Sequence, residues 1–384
     1  MKILLIHNYG QYRGGAETYF ESLSKQLKAK GHRVITYAQD SRKIKTLFDK
    51  ITTAIGMFYS SKTKKELEEL IEKEKPDVAQ ILNIYPLISA TIYWVLKKHK
   101  IPIIQRIQDY RYFCPKATLF RNQKICELCL TKRFKYPSVI YGCYQSSRLS
   151  SLIFSLSFYF HQLIGSYQFI DKYIFPTKFV RDFYIKNGKI KKEKTIIIPT
   201  FTDINQSKSK GLISLKNKNN FLFFGRLSEE KGIIKLLQVF KKLPKIRLTV
   251  IGDGPLKNEI QQYSRYKNIT IIGFQPRNII LEYIRQAKAV IIPSLWYDVM
   301  PNVLIESISQ GTPVIVPKFG VFPELVKEND GFFYEQDDFD NLKSIIIQIN
   351  RRKKLELINN HRFIPERHID KLIGLYKNLK YEKN

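Results

Sequence analysis

Acid is scarce in this chain. Its 384 residues hold 34 Asp and Glu against 65 Lys and Arg, a formal net charge of +31. Such a surface attracts polyanions of many kinds, including lipid headgroups, nucleoside diphosphates and nucleic acids. Charge alone does not choose among them. No RNP, KH, helix-turn-helix or zinc-finger pattern accompanies it, so nucleic acid is not expected as a partner. Long apolar runs are also missing. The most apolar stretch, "SSLIFSLSFYFHQLIG" at 150–165, is interrupted by His161 and Gln162 and falls short of the ~20 residues a span needs. It reads as an amphipathic helix, either buried or facing a membrane surface. "MKILLIHNYG" turns polar too soon for a secretory signal. The expected location is cytoplasmic, with residence on the inner face of an anionic membrane as an extension. There is no G-x-x-x-x-G-K-[ST], which excludes a P-loop ATPase, and no G-x-G-x-x-G followed by a ribose-binding acid. No short-period repeat points to a solenoid.

Cysteine is rare, and all four lie within thirty residues: Cys114, Cys126, Cys129 and Cys143. Two readings stand. One C-x2-C pair with two flanking thiols has the donor set for a structural zinc. The favoured reading is a set of ordinary buried thiols, since stable disulfides are disfavoured in a cytosolic protein. Catalytic zinc is not expected, because no histidine accompanies the thiols.

What is present is a 44% hydrophobic, 13% aromatic chain, able to bury two cores of about 150–200 residues each. "KILLIH", a loop, the helix "TYFESLSKQLKAKG" and "HRVITYAQ" form a βαβ unit. "PDVAQILNI", "IPIIQRIQ", "FIDKYIFPT" and "EKTIIIPT" continue the strands, with "LISATIYWVLKKH" and "TKFVRDFYIKNG" as helices. After the polar stretch 201–218 the pattern restarts with "FLFFGR", "IRLTVIGDG", "ITIIGF", "AVIIPS", "TPVIVPK" and "GFFYEQ". "GIIKLLQVFKKL", "PLKNEIQQYSRY" and "NVLIESISQG" are the helices between them. The expected fold class is α/β: two Rossmann-like domains of parallel sheet flanked by helices, facing a central cleft. Their expected bounds are 1–200, with the cysteine-bearing segment at 108–148, and 219–365. Residues 201–218 are the linker, and 366–384 form a helix packing back on the first domain.

Three places carry chemistry. Gly14 and Gly15 precede a helix, where backbone N–H groups can approach an anion. In "FGRLSEEKG", Arg226 leaves the C-terminal end of a strand and Lys231 lies at the mouth of the next helix. A guanidinium fork and a mobile ammonium there suit a diphosphate. In "IIPSLWYDVMPNVLIESISQG", Asp298 lies on a loop and Pro301 opens a helix that carries Glu306. The lone D-x-D, Asp338 to Asp340, reads as helix-capping acids rather than a metal site.

Taken with "GGAE" at 14–17, "FPTKFVRDFY" at 175–184, "FFGRLSEEKGI" at 223–233 and "IGDGP" at 251–255, the chain resembles the retaining glycosyltransferases of family 4, in the subgroup that builds surface polysaccharides. The resemblance covers nearly the whole chain and implies the GT-B fold. It implies that Arg226 and Lys231 bind the donor diphosphate, with Gly15 and Gly225 beside it. Glu306 matches the acid that holds the ribose, and Phe274 the residue beside the nucleobase. Met300, Pro301, Asn302 and Val303 match the backbone contacts to the donor. Two positions depart from the family. Asp298 stands where a glutamate grips the transferred sugar, and Gln108 stands where a histidine contacts it. Gln108 can hydrogen-bond a hydroxyl but cannot carry a proton near neutral pH. The implied reaction moves a hexose-type sugar from a UDP- or GDP-sugar to a saccharide or polyprenyl-diphosphate-linked saccharide, with no cofactor. The alternative is a weakened relative that binds nucleotide sugar without turning it over.

Overall fold

The computed structural model describes residues 1–10, 14–188, 190–203, 211–214, 220–352, 354–357 and 361–383. It divides into two units, Met1–Leu119 with Cys126–Phe201 and Pro365–Asn384, and Phe120–Ile125 with Thr202–Ile364. Of the polar stretch 201–218, residues 204–210 and 215–218 lie outside the described residues. Within that stretch Gly211–Ser214 forms a short strand, paired antiparallel with Lys354–Leu357. Its two apolar residues, Leu212 and Ile213, are masked in the sequence by flanking lysines.

The first unit is built on six parallel strands: β1 (Lys2–Tyr9), β2 (Arg33–Asp40), β3 (Val78–Ile81), β4 (Ile103–Arg106), β5 (Lys172–Phe175) and β6 (Thr195–Ile197). Their order is β2-β1-β3-β4-β5-β6. Leu4 pairs with Ile35 on one side and Ala79 on the other. Ile3 to Ile6 are fully buried, so β1 is apolar without alternation, as a parallel strand covered on both faces must be. Helix α1 (Gly15–Ala29) lays Tyr19, Phe20, Leu23 and Leu27 on the sheet. The C-terminal helix Pro365–Lys383 adds Ile369, Leu372, Leu375, Tyr376 and Leu379 to the same core. Helix α2 (Leu47–Phe58) and helix α3 (Arg148–Leu163) lie together in this unit. α3 contains most of the apolar 150–165 stretch and turns Phe154, Phe158 and His161 inward. Among the described residues no helix is long and apolar enough to cross a membrane.

One histidine ties the C-terminal helix down. His368 Nε2 lies 2.8 Å from the Tyr19 hydroxyl, and Nδ1 lies 2.6 Å from the Pro199 carbonyl. A carbonyl only accepts, so Nδ1–H donates and Nε2 accepts from tyrosine, which defines a neutral ring. Burial and the nearby Arg106 guanidinium push its pKa down to about 3. The unfolded chain would protonate this ring near 6.5, so between about pH 6.5 and 3 the unfolded state binds the extra proton. Stability contributed by the neutral ring is present above 6.5 and is lost as pH falls. Denaturant titrations at pH 7 and pH 5 should differ by roughly 2 kcal/mol from this site. His368→Gln should shrink that difference; an unchanged pH dependence would remove His368 as its source.

The second unit repeats the plan with β7 (Asn220–Phe224), β8 (Arg247–Ile251), β9 (Ile269–Gly273), β10 (Ala289–Ile291), β11 (Val314–Pro317) and β12 (Gly331–Tyr334). All pair parallel in the order β9-β8-β7-β10-β11-β12. This is the Rossmann order 3-2-1-4-5-6, which reverses between β7 and β10. Helix α4 (Ile233–Lys241) buries Ile233, Leu236, Leu237 and Phe240 on one face. Two helices differ from the sequence pattern. "PLKNEIQQYSRY" gives one α-turn, Lys257–Ile260, followed by 3-10 turns at Gln261–Arg265. "LISATIYWVLKKH" becomes helical only at Thr91. Asp338 caps the helix Phe339–Arg351, accepting from the Asn341 amide at 2.8 Å.

Candidate active site

In the second unit the site forms where the strand order reverses, at the C-terminal ends of β7 and β10. Arg226 follows β7 directly and is exposed. The backbone after it is clamped onto the 252–256 loop. Leu227 N–H donates to the Asp253 carbonyl at 2.9 Å, and Leu256 N–H donates to the Leu227 carbonyl at 3.0 Å. That approach explains the second glycine of "IGDGP": a Cβ on Gly254 would lie 2.5 Å from the Leu227 carbonyl oxygen. Gly232 has the same duty beyond Lys231. It adopts φ +70°, and a Cβ there would sit 1.9 Å from the Pro293 carbonyl oxygen. The Lys231 turn is thus pressed against the chain leaving β10.

That packing brings Lys231 to Asp298. Lys231 Nζ donates to Asp298 Oδ1 at 2.6 Å and lies 4.9 Å from the centre of the Trp296 ring. The Ser294 hydroxyl donates to Asp298 Oδ2. The Asp298 side chain is 4% exposed and Lys231 25%. The carboxylate therefore stands behind the ammonium and fixes its direction. The sequence reading pairs Asp298 with sugar hydroxyls; the structure turns both of its oxygens to protein donors.

Helix α5 (Asn302–Ser309) begins immediately after this loop, with Pro301 as its N-cap. A Cβ on Gly225 would meet Val303 at 3.6 Å, so the end of β7 and the first turn of α5 adjoin. Met300, Asn302 and Val303 are half-buried there and Pro301 is buried. Glu306 lies on the same helix and accepts from the Arg277 guanidinium at 3.1 Å. Burial pushes its carboxyl above the usual range, against the lowering effect of Arg277. Arg277 also donates to Asp203 at 2.9 Å and to the Thr202 hydroxyl at 3.1 Å. Sequence reasoning missed Arg277. It stands three residues after the quoted "IIGF", at the first position of a helix, a signal too common to single out. Phe274 is 72% exposed.

In the first unit, the glycine loop after β1 is held by Glu17. Its carboxylate accepts from Gly10 N–H at 3.1 Å and Gly14 N–H at 2.9 Å, the glutamate half of a capping box on α1. Burial alone would raise this carboxyl; the His7 ring and the loop amides bring it down to about 2. Gly15 is then the exposed first residue of α1. Glu17 is the last residue of "GGAE", and the sequence alone does not show that it holds the loop.

A model of the family described as "Glycosyltransferase Family 4" matches residues 13–206, and one described as "Glycosyl transferases group 1" matches 205–362. The chain belongs to glycosyltransferase family 4. The glycosyltransferase is 22% identical over 402 residues to the "Uncharacterized 42.6 kDa protein in cps region" of Klebsiella pneumoniae, covering 96% of this chain and 99% of that protein. Among solved structures, it is similar to Anabaena Alr3699/HepE in complex with UDP, with TM-score 0.65, 16% identity and coverage of 98% and 100%. It is also similar to the apo lipopolysaccharide outer core galactosyltransferase WaaB, with TM-score 0.62, 14% identity and full coverage of both chains. At these identities the structural likeness is one of fold, and it is the GT-B fold.

Gln108 of the glycosyltransferase lines a cavity of about 30 Å³ with Asn83, Tyr85, Arg111 and Tyr167. Its buried Nε2 has no hydrogen-bond partner among the described residues. Asp109 and Asn83 hold Arg111 at 3.2 and 3.1 Å beside it.

None of the four cysteines is in a disulfide among the described residues; Cys114 and Cys129 are buried, Cys126 and Cys143 half-buried. Among the described residues no group of three or more His, Cys, Asp or Glu is placed to hold a metal ion. Burial raises the Cys114 thiol and pushes that of Cys129 up to about 12.

Proposed function

We propose that the chain is a retaining glycosyltransferase that moves a hexose-type unit from a UDP- or GDP-sugar to a saccharide or lipid-linked saccharide of a surface polysaccharide. The observation that carries this reading is Lys231 held by Asp298 beside the first turn of α5, with Glu306 further along that helix. The "cps region" relative supports the pathway, and the UDP complex of a neighbour of the same fold supports the donor class.

In this reading Arg226, Lys231 and the backbone amides at 302–303 take up charge as it grows on the β-phosphate. The bond from the sugar's anomeric carbon to the phosphate oxygen breaks, its electron pair staying on that oxygen. The acceptor hydroxyl forms the new bond from the same face and passes its proton to the departing phosphate. No side-chain base is needed, which accommodates Gln108. Glu306 holds the ribose, with Arg277 keeping its carboxylate oriented.

The test is thermal stabilisation by UDP-, GDP-, ADP- and dTDP-sugars, then transfer with NMR assignment of the product anomer. One nucleotide series should stabilise, and the product should keep the donor's anomeric configuration. Binding without transfer or hydrolysis would support the weakened-relative reading. Glu306→Ala should weaken binding of the free nucleoside diphosphate by about tenfold, the loss of one charged hydrogen bond. Calorimetry showing unchanged affinity would remove Glu306 from the ribose.

A further inference from the structure

Helix α2 buries almost nothing. Of its twelve residues only Met57 is buried. Leu47 and Phe48 are each 73% exposed, Ile55 65% and Ile51 51%. Phe48, Ile51, Ile55 and Tyr59 succeed one another at three and four residues, so they form one stripe along the helix. On α3 the exposed residues Leu149, Leu156, Phe160 and Leu163 lie on one side by the same spacing. The two helices are joined where Phe58 meets Phe160, ring centroids 6.0 Å apart, and where His161 Nε2 lies 3.0 Å from the Met57 carbonyl. The result is a continuous apolar face of the kind that marks an interaction site.

Its surroundings are basic. Residues 41–65 hold seven Lys and Arg and one acid, Asp49; residues 131–164 hold four and no acid. Lys43, Lys45 and Lys50 are exposed and make no ion pair among the described residues. A second copy of this face would set like charge against like. An anionic bilayer meets both requirements, apolar insertion and positive charge at the headgroups.

We propose that α2, with the outer side of α3, is a docking surface for an anionic lipid bilayer, Leu47, Phe48, Ile51 and Ile55 entering the boundary between headgroups and acyl chains. The contact is independent of the transfer chemistry. It also extends the expected lipid contact from the outer side of segment 150–165 to a helix the sequence pattern passes over.

The full chain should co-sediment with vesicles of equal phosphatidylglycerol and phosphatidylcholine, less so at high salt, and weakly with phosphatidylcholine alone. Phe48→Glu with Ile51→Glu should lower anionic-vesicle affinity at least about tenfold, with thermal melting unchanged because both positions are exposed. Lys43→Gln, Lys45→Gln and Lys50→Gln together should reduce the preference for anionic lipid. No sedimentation of the parent, or equal binding by the double variant, overturns the proposal. So does a lipid-free dimer, seen by sedimentation velocity, that the double variant dissolves, since that assigns the face to a second copy.

Discussion

Arg226→Ala should lower kcat/KM for sugar transfer at least about a hundredfold, equivalent to about 2.7 kcal/mol in the barrier. Charge accumulates on the leaving diphosphate as the glycosidic bond opens, and a guanidinium fixed at the sheet edge stabilises it without reorganising. Arg226 is exposed, but the backbone after it is held by two hydrogen bonds to the 252–256 loop. Those bonds fix the backbone from which the guanidinium reaches. Melting should be unaffected. A variant within threefold of the parent takes Arg226 out of the reaction.

Asp298→Ala separates two roles for one carboxylate. If it aims Lys231 at the transferring group, kcat/KM should fall by a similar factor, about a hundredfold. Affinity for free nucleoside diphosphate should stay within about threefold, because removing a negative charge beside a phosphate offsets the loss of an anchored ammonium. The buried Ser294 hydroxyl and Lys231 would both lose their acceptor, so melting should also drop, by about 1–3 kcal/mol. Equal losses in nucleotide affinity and in kcat/KM would instead make Asp298 part of the phosphate site through Lys231. Asp298→Glu, the family residue, should keep activity.

The central strands of both sheets were legible because they are short apolar runs, the pattern of a strand covered on both faces, whereas the edge strand β2 alternates buried and exposed residues. Lys231 and Asp298 were each legible as chemistry; their contact was not. It depends on Gly232 letting one turn press against Pro293, a relation between positions sixty residues apart. Arg277 was hidden for the same reason, since its meaning comes from Glu306, Asp203 and Thr202 at once. Helix α2 was hidden by its own composition. An amphipathic pattern is read by asking which core it faces, and α2 faces none in this chain.

The docking of the C-terminal helix sets the order in which the chain can fold. Tyr19, Leu23 and Leu27 are covered in part by Leu372, Tyr376 and Leu379, residues synthesised some 350 positions later. On the ribosome the six strands of the first unit are complete at Ile197, and their sheet carries an uncovered apolar flank while the whole second unit is synthesised. The growing chain is therefore most exposed to misassociation near its beginning, late in its synthesis. The last turns of helix that close this flank make the folding of the first unit depend on completing the second.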